Sequence, residues 1–220
     1  MSSYSSDGYS VLSTHPQQNQ GSYSRLFHVN KSSFQRHYEI ASANNQTLLY
    51  GDVSVYTPHK PDLTLHAGTN THAPIVAVSR FGKLTSTLKI GLGDPNNVQG
   101  VEWEDLKRQN LRATEYGWQM TLRYSDGSRE RRAFTWKRTH HAAVDGMTAS
   151  SLSPRNYKLV DPLTGQLLAV FTSDRSLHKC GDLQINVNYG PDFDTMVFIT
   201  YLSIHEKVRR RNESAAAAAS

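Results

Sequence analysis

Apolar and polar positions alternate along most of the chain. Leu84, Leu88, Ile90 and Leu92 fall on one side of an extended segment, and Thr85, Thr87 and Lys89 on the other. A two-residue period of this kind marks a half-buried strand. The same alternation, or a short continuous apolar run, predicts strands near 34–41, 48–56, 74–81, 84–92, 100–108, 113–124, 129–138, 155–161, 166–172 and 182–189. Turn-forming residues stand between them, at Asn44-Asn45, Asp94 to Asn97, Asp126-Gly127, Asp145-Gly146 and Asp161 to Gly165. The stretch 139–154 is the longest interruption and reads as an insertion.

One segment breaks the period. After Gly190-Pro191 the residues Phe193, Val197, Tyr201, Ile204 and Val208 share a helical face, and Met196, Phe198, Ile199 and Leu202 fill the other sides. Proline suits a first helical position, and Asp192 and Asp194 complement the N-terminal dipole. Lys207, Arg209, Arg210 and Arg211 are expected to complement the other end. A helix apolar nearly all round is either buried or in a bilayer. From Phe193 to Ile204 it measures roughly 18 Å, against about 30 Å of hydrocarbon to cross. It also lacks the clean polar face of a surface-lying amphipathic helix. It is therefore a core element.

Strands of eight residues are about 26 Å long, and a helix over 192–207 about 24 Å. The helix can thus run the length of a barrel built from those strands. Closure would remove the exposed sheet edges, and the helix would supply the filling. The expected fold is mainly β: a closed antiparallel β-barrel of roughly ten to twelve strands around a central apolar C-terminal helix. Residues 1–30, rich in Ser, Gln, Asn and Gly, are expected as a disordered polar tail. The barrel domain is assigned to 31–212 with its helix near 191–208, and the Ala-rich 213–220 to a second disordered tail.

The segment 116–138 fixes its own register. A two-residue Asp126-Gly127 loop would set Met120 and Leu122 among Ala133 and Arg131. A three-residue loop, Ser125-Asp126-Gly127 with Gly127 left-handed, places Trp118 opposite Phe134 and Tyr116 opposite Trp136. Burial selects the second register, because a one-residue slip turns every side chain over. Arg123, Arg129 and Arg131 then share the outer face, with Lys137 and Arg138 extending it. Like charges opposed on a sheet are mildly destabilising, which invites an anionic partner; a solvated face neutralised by nearby acids is the other reading.

Composition narrows the classes. The chain of 220 residues carries 24 Lys and Arg against 19 Asp and Glu, a formal +5 that suits an acidic partner without requiring one. Cys180 is the sole cysteine, so no intrachain disulfide can form, which favours a cytosolic or nuclear setting. No charged start followed by an apolar run marks a secretory signal, and no lipidation box is present.

Five segments carry a family resemblance: IGLGDP (90–95), FTWKRT (134–139), NYKLVD (156–161), TGQLLAVF (164–171) and FDTMVFITYLSIHEK (193–207). Over about residues 34–211 the chain resembles fungal proteins with a tubby-like C-terminal domain, in the superfamily of tubby, the LURP-one-related proteins and the phospholipid scramblases. The resemblance implies the barrel-around-helix fold. Tubby domains bind phosphoinositide headgroups through basic surface residues, and scramblases act at membranes. Neither the headgroup-binding pattern nor a scramblase calcium segment aligns onto this chain, so no functional residue is carried over.

Other chemistry finds little support. His140-His141 would diverge on a strand and His178 with Cys180 is only a pair, so the spacing of a zinc site is missing. Gly91-Leu92-Gly93 lacks the third glycine of a dinucleotide loop. Glu102 and Glu104 share a strand face and are expected to be exposed while Val101 and Trp103 pack, which leaves no supported acid pair. Trp103, Trp118 and Trp136 are expected in the core or barrel wall, so nucleic acid is not expected. The function expected is a non-enzymatic binding domain without metal or cofactor. It would meet anionic phospholipid or phosphoinositide headgroups in a peripheral contact through Arg123, Arg129, Arg131, Lys137 and Arg138. The alternative is a protein-interaction scaffold without lipid specificity, and an enzyme without a recognisable motif ranks below both. A cytoplasmic place, peripheral on a membrane or nuclear, goes with this reading.

Overall fold

The computed structural model describes residues 23–31, 37–55, 57, 59–82, 86–97, 100–149, 153, 155–174 and 179–219. Its strands are β1 (Arg25–Lys31), β2 (His37–Ser42), β3 (Thr47–Val53), β4 (Leu63–His66), β5 (Ile75–Phe81), β6 (Leu88–Leu92), β7 (Glu102–Arg108), β8 (Glu115–Arg123), β9 (Arg129–Arg138), β10 (Tyr157–Val160), β11 (Leu167–Ser173) and β12 (Lys179–Ile185). One helix, α1 (Pro191–Ala218), follows. Each strand is antiparallel to its neighbours in sequence, and β1 pairs with both β2 and β12 to close the barrel.

The helix fills that barrel. From Phe193 to Glu206 only Asp194 and Thr195 escape full burial. Its contacts go all the way round: Phe198 meets Phe27 of β1 edge-on at 5.0 Å, and Phe193 lies 5.3 Å from Phe134 of β9. Tyr201 stacks on Phe171 of β11 at 4.0 Å. Leu202 lies against β3, where a Cβ on Gly51 would stand 3.7 Å from its Cδ1. Thr200 sits in this apolar column because its Oγ1 accepts the indole N–H of Trp136 at 2.9 Å and donates to the Met196 carbonyl at 2.6 Å. Both polar groups are thereby satisfied without water, which a buried pair requires.

The hairpin β8–β9 has the three-residue loop. Tyr124 N–H donates to the Ser128 carbonyl, Gly127 has φ 83°, and Trp118 faces Phe134 while Tyr116 faces Trp136. Glu130 and Arg132, inward by parity, sit at the rim as that register demands. Arg132 reaches the Asp161 carboxylate and the Tyr189 hydroxyl, and Glu130 accepts from Tyr124.

Several boundaries differ from expectation. The first strand begins at Arg25, inside the segment assigned to the polar tail; Phe27 and Val29 are its buried positions, too few to outweigh the polar neighbourhood in sequence. Residues 1–22 of that tail lie outside the described residues. Strand β4 has no counterpart among the expected strands, because its four residues are all buried and too few to show a period. Helix α1 continues through Arg211 and the alanines to Ala218, alanine being the strongest helix former, so 213–218 are helical rather than disordered. Its last turn therefore holds no basic residue, and the cations of 207–211 do something other than complement the helix end. Trp103 is 42% exposed and Val101 only half-buried, so neither packs inward as expected.

Candidate functional site

The five candidate cations do not form one patch. Arg123 and Arg131 keep to the outer face near the loop of the β8–β9 hairpin, but two acids of β7 reach them. Arg123 is paired with Glu102 and with Asp192 at 3.4 Å, and Arg131 holds Glu104, with Nη2 2.6 Å from Oε2. Arg129 is exposed opposite Arg123, and no ion pair of its own is found among the described residues. The neutralised reading of this face is the one the geometry meets. Both acids could have been paired with these arginines only by knowing how β7 and β8 lie, which the sequence does not state.

Lys137 and Arg138 lie at the other end of β9, and Arg138 joins cations that sequence reasoning passed over. Strand β7 ends there in Arg108, the following turn carries Leu111 and Arg112, and α1 leaves the barrel there at Arg211. Two buried phenols mark the convergence. Burial raises the pKa of Tyr116 against the pull of the Arg211 and Arg108 charges. It raises that of Tyr157 to about 12, against Arg138 and Arg211. Arg108, Arg112, Arg138 and Arg211 are all exposed, and none makes an ion pair among the described residues. Leu111, at the tip of their turn, is 93% exposed. The signal available in sequence was the KVRRR run, but it gave no indication of which loop it would meet.

The opposite side of the same mouth is neutral by construction. Glu206 is fully buried, and its carboxylate accepts from the Tyr38 hydroxyl at 2.9 Å, from Arg209 at 2.6 and 2.8 Å and from Arg210 at 2.9 Å; Lys31 stands at 3.5 Å. Arg210 bridges on to Asp62 at 2.6 Å. Burial alone would raise the Glu206 pKa, but these donors, Arg209 foremost, bring it down to about 2. Beside it, Nδ1 of His205 lies 3.0 Å from the Tyr38 hydroxyl, while its Nε2 is buried without a partner. Burial, aided by the Arg155 and Lys31 charges, pushes the His205 pKa down to about 3. Cys180, half-buried, has its thiol pushed up to about 11, mainly by burial, and is correspondingly unreactive.

Among the described residues no group of three His, Cys, Asp or Glu is placed to hold a metal ion, and no helix is long and apolar enough to cross a membrane. His178 lies outside the described residues.

The fold has a counterpart among solved structures. The X-ray structure of an Arabidopsis thaliana protein, AT5G01750, matches with a TM-score of 0.51 at 12% identity, covering 83% of this chain and 92% of that one. At that identity the likeness is one of fold alone. No family model matches the sequence, and no curated protein does.

Proposed function

We propose that this chain is a tubby-like, non-enzymatic binding domain that docks peripherally on anionic lipid headgroups, phosphoinositides included, by the mouth where α1 emerges. The observation that supports it is the gathering of Arg108, Arg112, Arg138 and Arg211 around the exposed Leu111, none of them in an ion pair among the described residues. The barrel interior is filled by the chain's own helix, so a ligand is met from outside. Four unpaired guanidiniums offer planar donors suited to phosphate oxygens. A leucine held out in water beside them is suited to the acyl boundary just below the headgroups. Of the residues proposed from sequence, Arg138 belongs to this site, Lys137 flanks it, and Arg123, Arg129 and Arg131 do not. The superfamily resemblance and the barrel-around-helix fold agree with this reading, which implies an intracellular place at a membrane surface.

Vesicle sedimentation tests it. The protein should pellet with vesicles containing phosphatidylserine or a phosphoinositide and stay in solution with phosphatidylcholine alone. Binding should weaken as salt shortens the Debye length from about 30 Å toward about 8 Å. Equal sedimentation with both vesicle types, or none with either at low salt, would refute the reading.

A further inference from the structure

On the outer wall of the barrel, β7 and β8 are paired only at Lys107–Gly117 and Arg108–Tyr116, although the strands are seven and nine residues long. Toward the other end they splay. The cause lies in β7. Glu104 stands opposite Ile90 and in phase with the inward Leu106, a position where a carboxylate is costly to bury. It pairs instead with Arg131, which belongs to the outer face of β9, and Arg123 meets Glu102 in the same way. Two ion pairs thus span an opening where a ladder of backbone hydrogen bonds would otherwise run. The opening is the bottom of a groove of about 540 Å³ lined by Trp103, Asp105, Lys107, Gln119 and Lys137 among others. Trp118 also lines it, and its indole N–H is buried with no hydrogen-bond partner. Trp103 lies exposed on its wall, with Arg80 over the ring at 5.4 Å.

We infer that this seam is a docking slot for an extended acidic segment of a partner protein, taken up by strand addition on the free edge of β7 from Glu102 to Leu106. A free strand edge inside a wall is matched by backbone donors and acceptors at strand spacing, which an extended peptide supplies and a compact anion does not. The charge of the slot selects the segment. Lys89 and Lys107 share the single Asp105, at 2.5 and 3.5 Å, and Lys137 has no ion pair among the described residues. Glu115 stands opposite Lys137 in the β8–β9 register, so that end of the groove sets three lysines against two acids, a net positive charge. The Arg123–Glu102 pair is exposed on both sides and weak enough for an entering strand to displace, whereas Glu104 of the second pair is largely covered. This slot adjoins the arginine mouth at Lys107 and Lys137, but its binding edge, Glu102 to Leu106, lies away from it and does not depend on the lipid reading.

The test uses the full chain and a labelled, end-capped octapeptide alternating valine and glutamate. Its control has the same charge but proline at two central valines, which removes backbone donors. Fluorescence anisotropy should show the proline peptide binding at least about tenfold more weakly, a difference of one factor of ten in Kd. Amide hydrogen exchange should slow at 102–106 and 118–123 when the first peptide is added. The double variant K107E/K137E should weaken binding, and E104Q, which releases one bridging pair, should strengthen it. Equal binding of both peptides would overturn the proposal, because charge alone would then explain it. So would a footprint at the arginine mouth, or β7 amides already as protected as those of β6 in the protein alone. A gain in affinity on deleting residues 1–22 would make this chain's own N-terminal segment the occupant, and would overturn the partner assignment.

Discussion

Glu206 and His205 are adjacent, both are buried, and they respond to acid in different ranges. The His205 pKa falls from 6.5 to about 3 on folding, so its contribution is intact above pH 6.5 and is lost as pH drops from there toward 3. Glu206, held at about 2 against 4.5 in the unfolded chain, begins to lose its contribution only below 4.5. Between pH 6.5 and 4.5 the H205N variant should therefore lose less stability than the parent, by up to about 1.4 kcal/mol per pH unit. Urea denaturation at pH 7, 6 and 5 measures it; parallel losses in both proteins would show that His205 is not held neutral. Changing Glu206→Gln strands three cations around a buried amide and should cost about 3 kcal/mol at pH 7 in the same assay. Thr200→Val deprives the Trp136 indole of its acceptor, an expected loss of about 1–3 kcal/mol.

At the scale of elements, the most apolar segment of the sequence is the axis of the barrel, and its length and all-round pattern were enough to say so. Ile199 and Leu202 are enclosed on every side, so either one changed to Asp should abolish cooperative thermal unfolding, leaving an unpaired charge in the core. Retention of the parental melting curve would mean the helix lies elsewhere. The β8–β9 register was legible because burial and a glycine turn both pointed to it. What stayed illegible has a physical reason in each case. Short strands such as β4 carry no period, and β1 has two deeply buried residues in a polar stretch. Trp103 faces outward because it is out of phase with the inward Leu106 and stands opposite Gly91 of β6, a register that its own segment does not state. The end of α1 was placed early because a basic run looks like a helix terminus, whereas Arg209 and Arg210 turn back onto Glu206 and Asp62 and the helix continues.

For the whole molecule, the decisive arrangement is the sorting of arginines by their neighbours. Near the loop of the β8–β9 hairpin, β7 supplies glutamates to Arg123 and Arg131; at the opposite end, Arg108, Arg112, Arg138 and Arg211 converge from two strands, a turn and the helix without such partners. The sequence displayed the first group as a cluster and scattered the second over about a hundred residues, so a linear reading singled out the first group. Two multiple variants separate the ends: R108Q/R112Q/R138Q/R211Q and R123Q/R129Q/R131Q. Surface changes of this kind usually cost little stability, and circular dichroism should confirm that both fold. The direct measurement is the partition of each onto phosphatidylserine vesicles at low salt. Each arginine near an anionic surface contributes about 1 kcal/mol, so the mouth variant should bind at least about a hundredfold more weakly than the parent while the hairpin variant binds within a few-fold of it. The opposite order, with binding lost in the hairpin variant and kept in the mouth variant, would contradict the assignment of the lipid contact to the helix mouth.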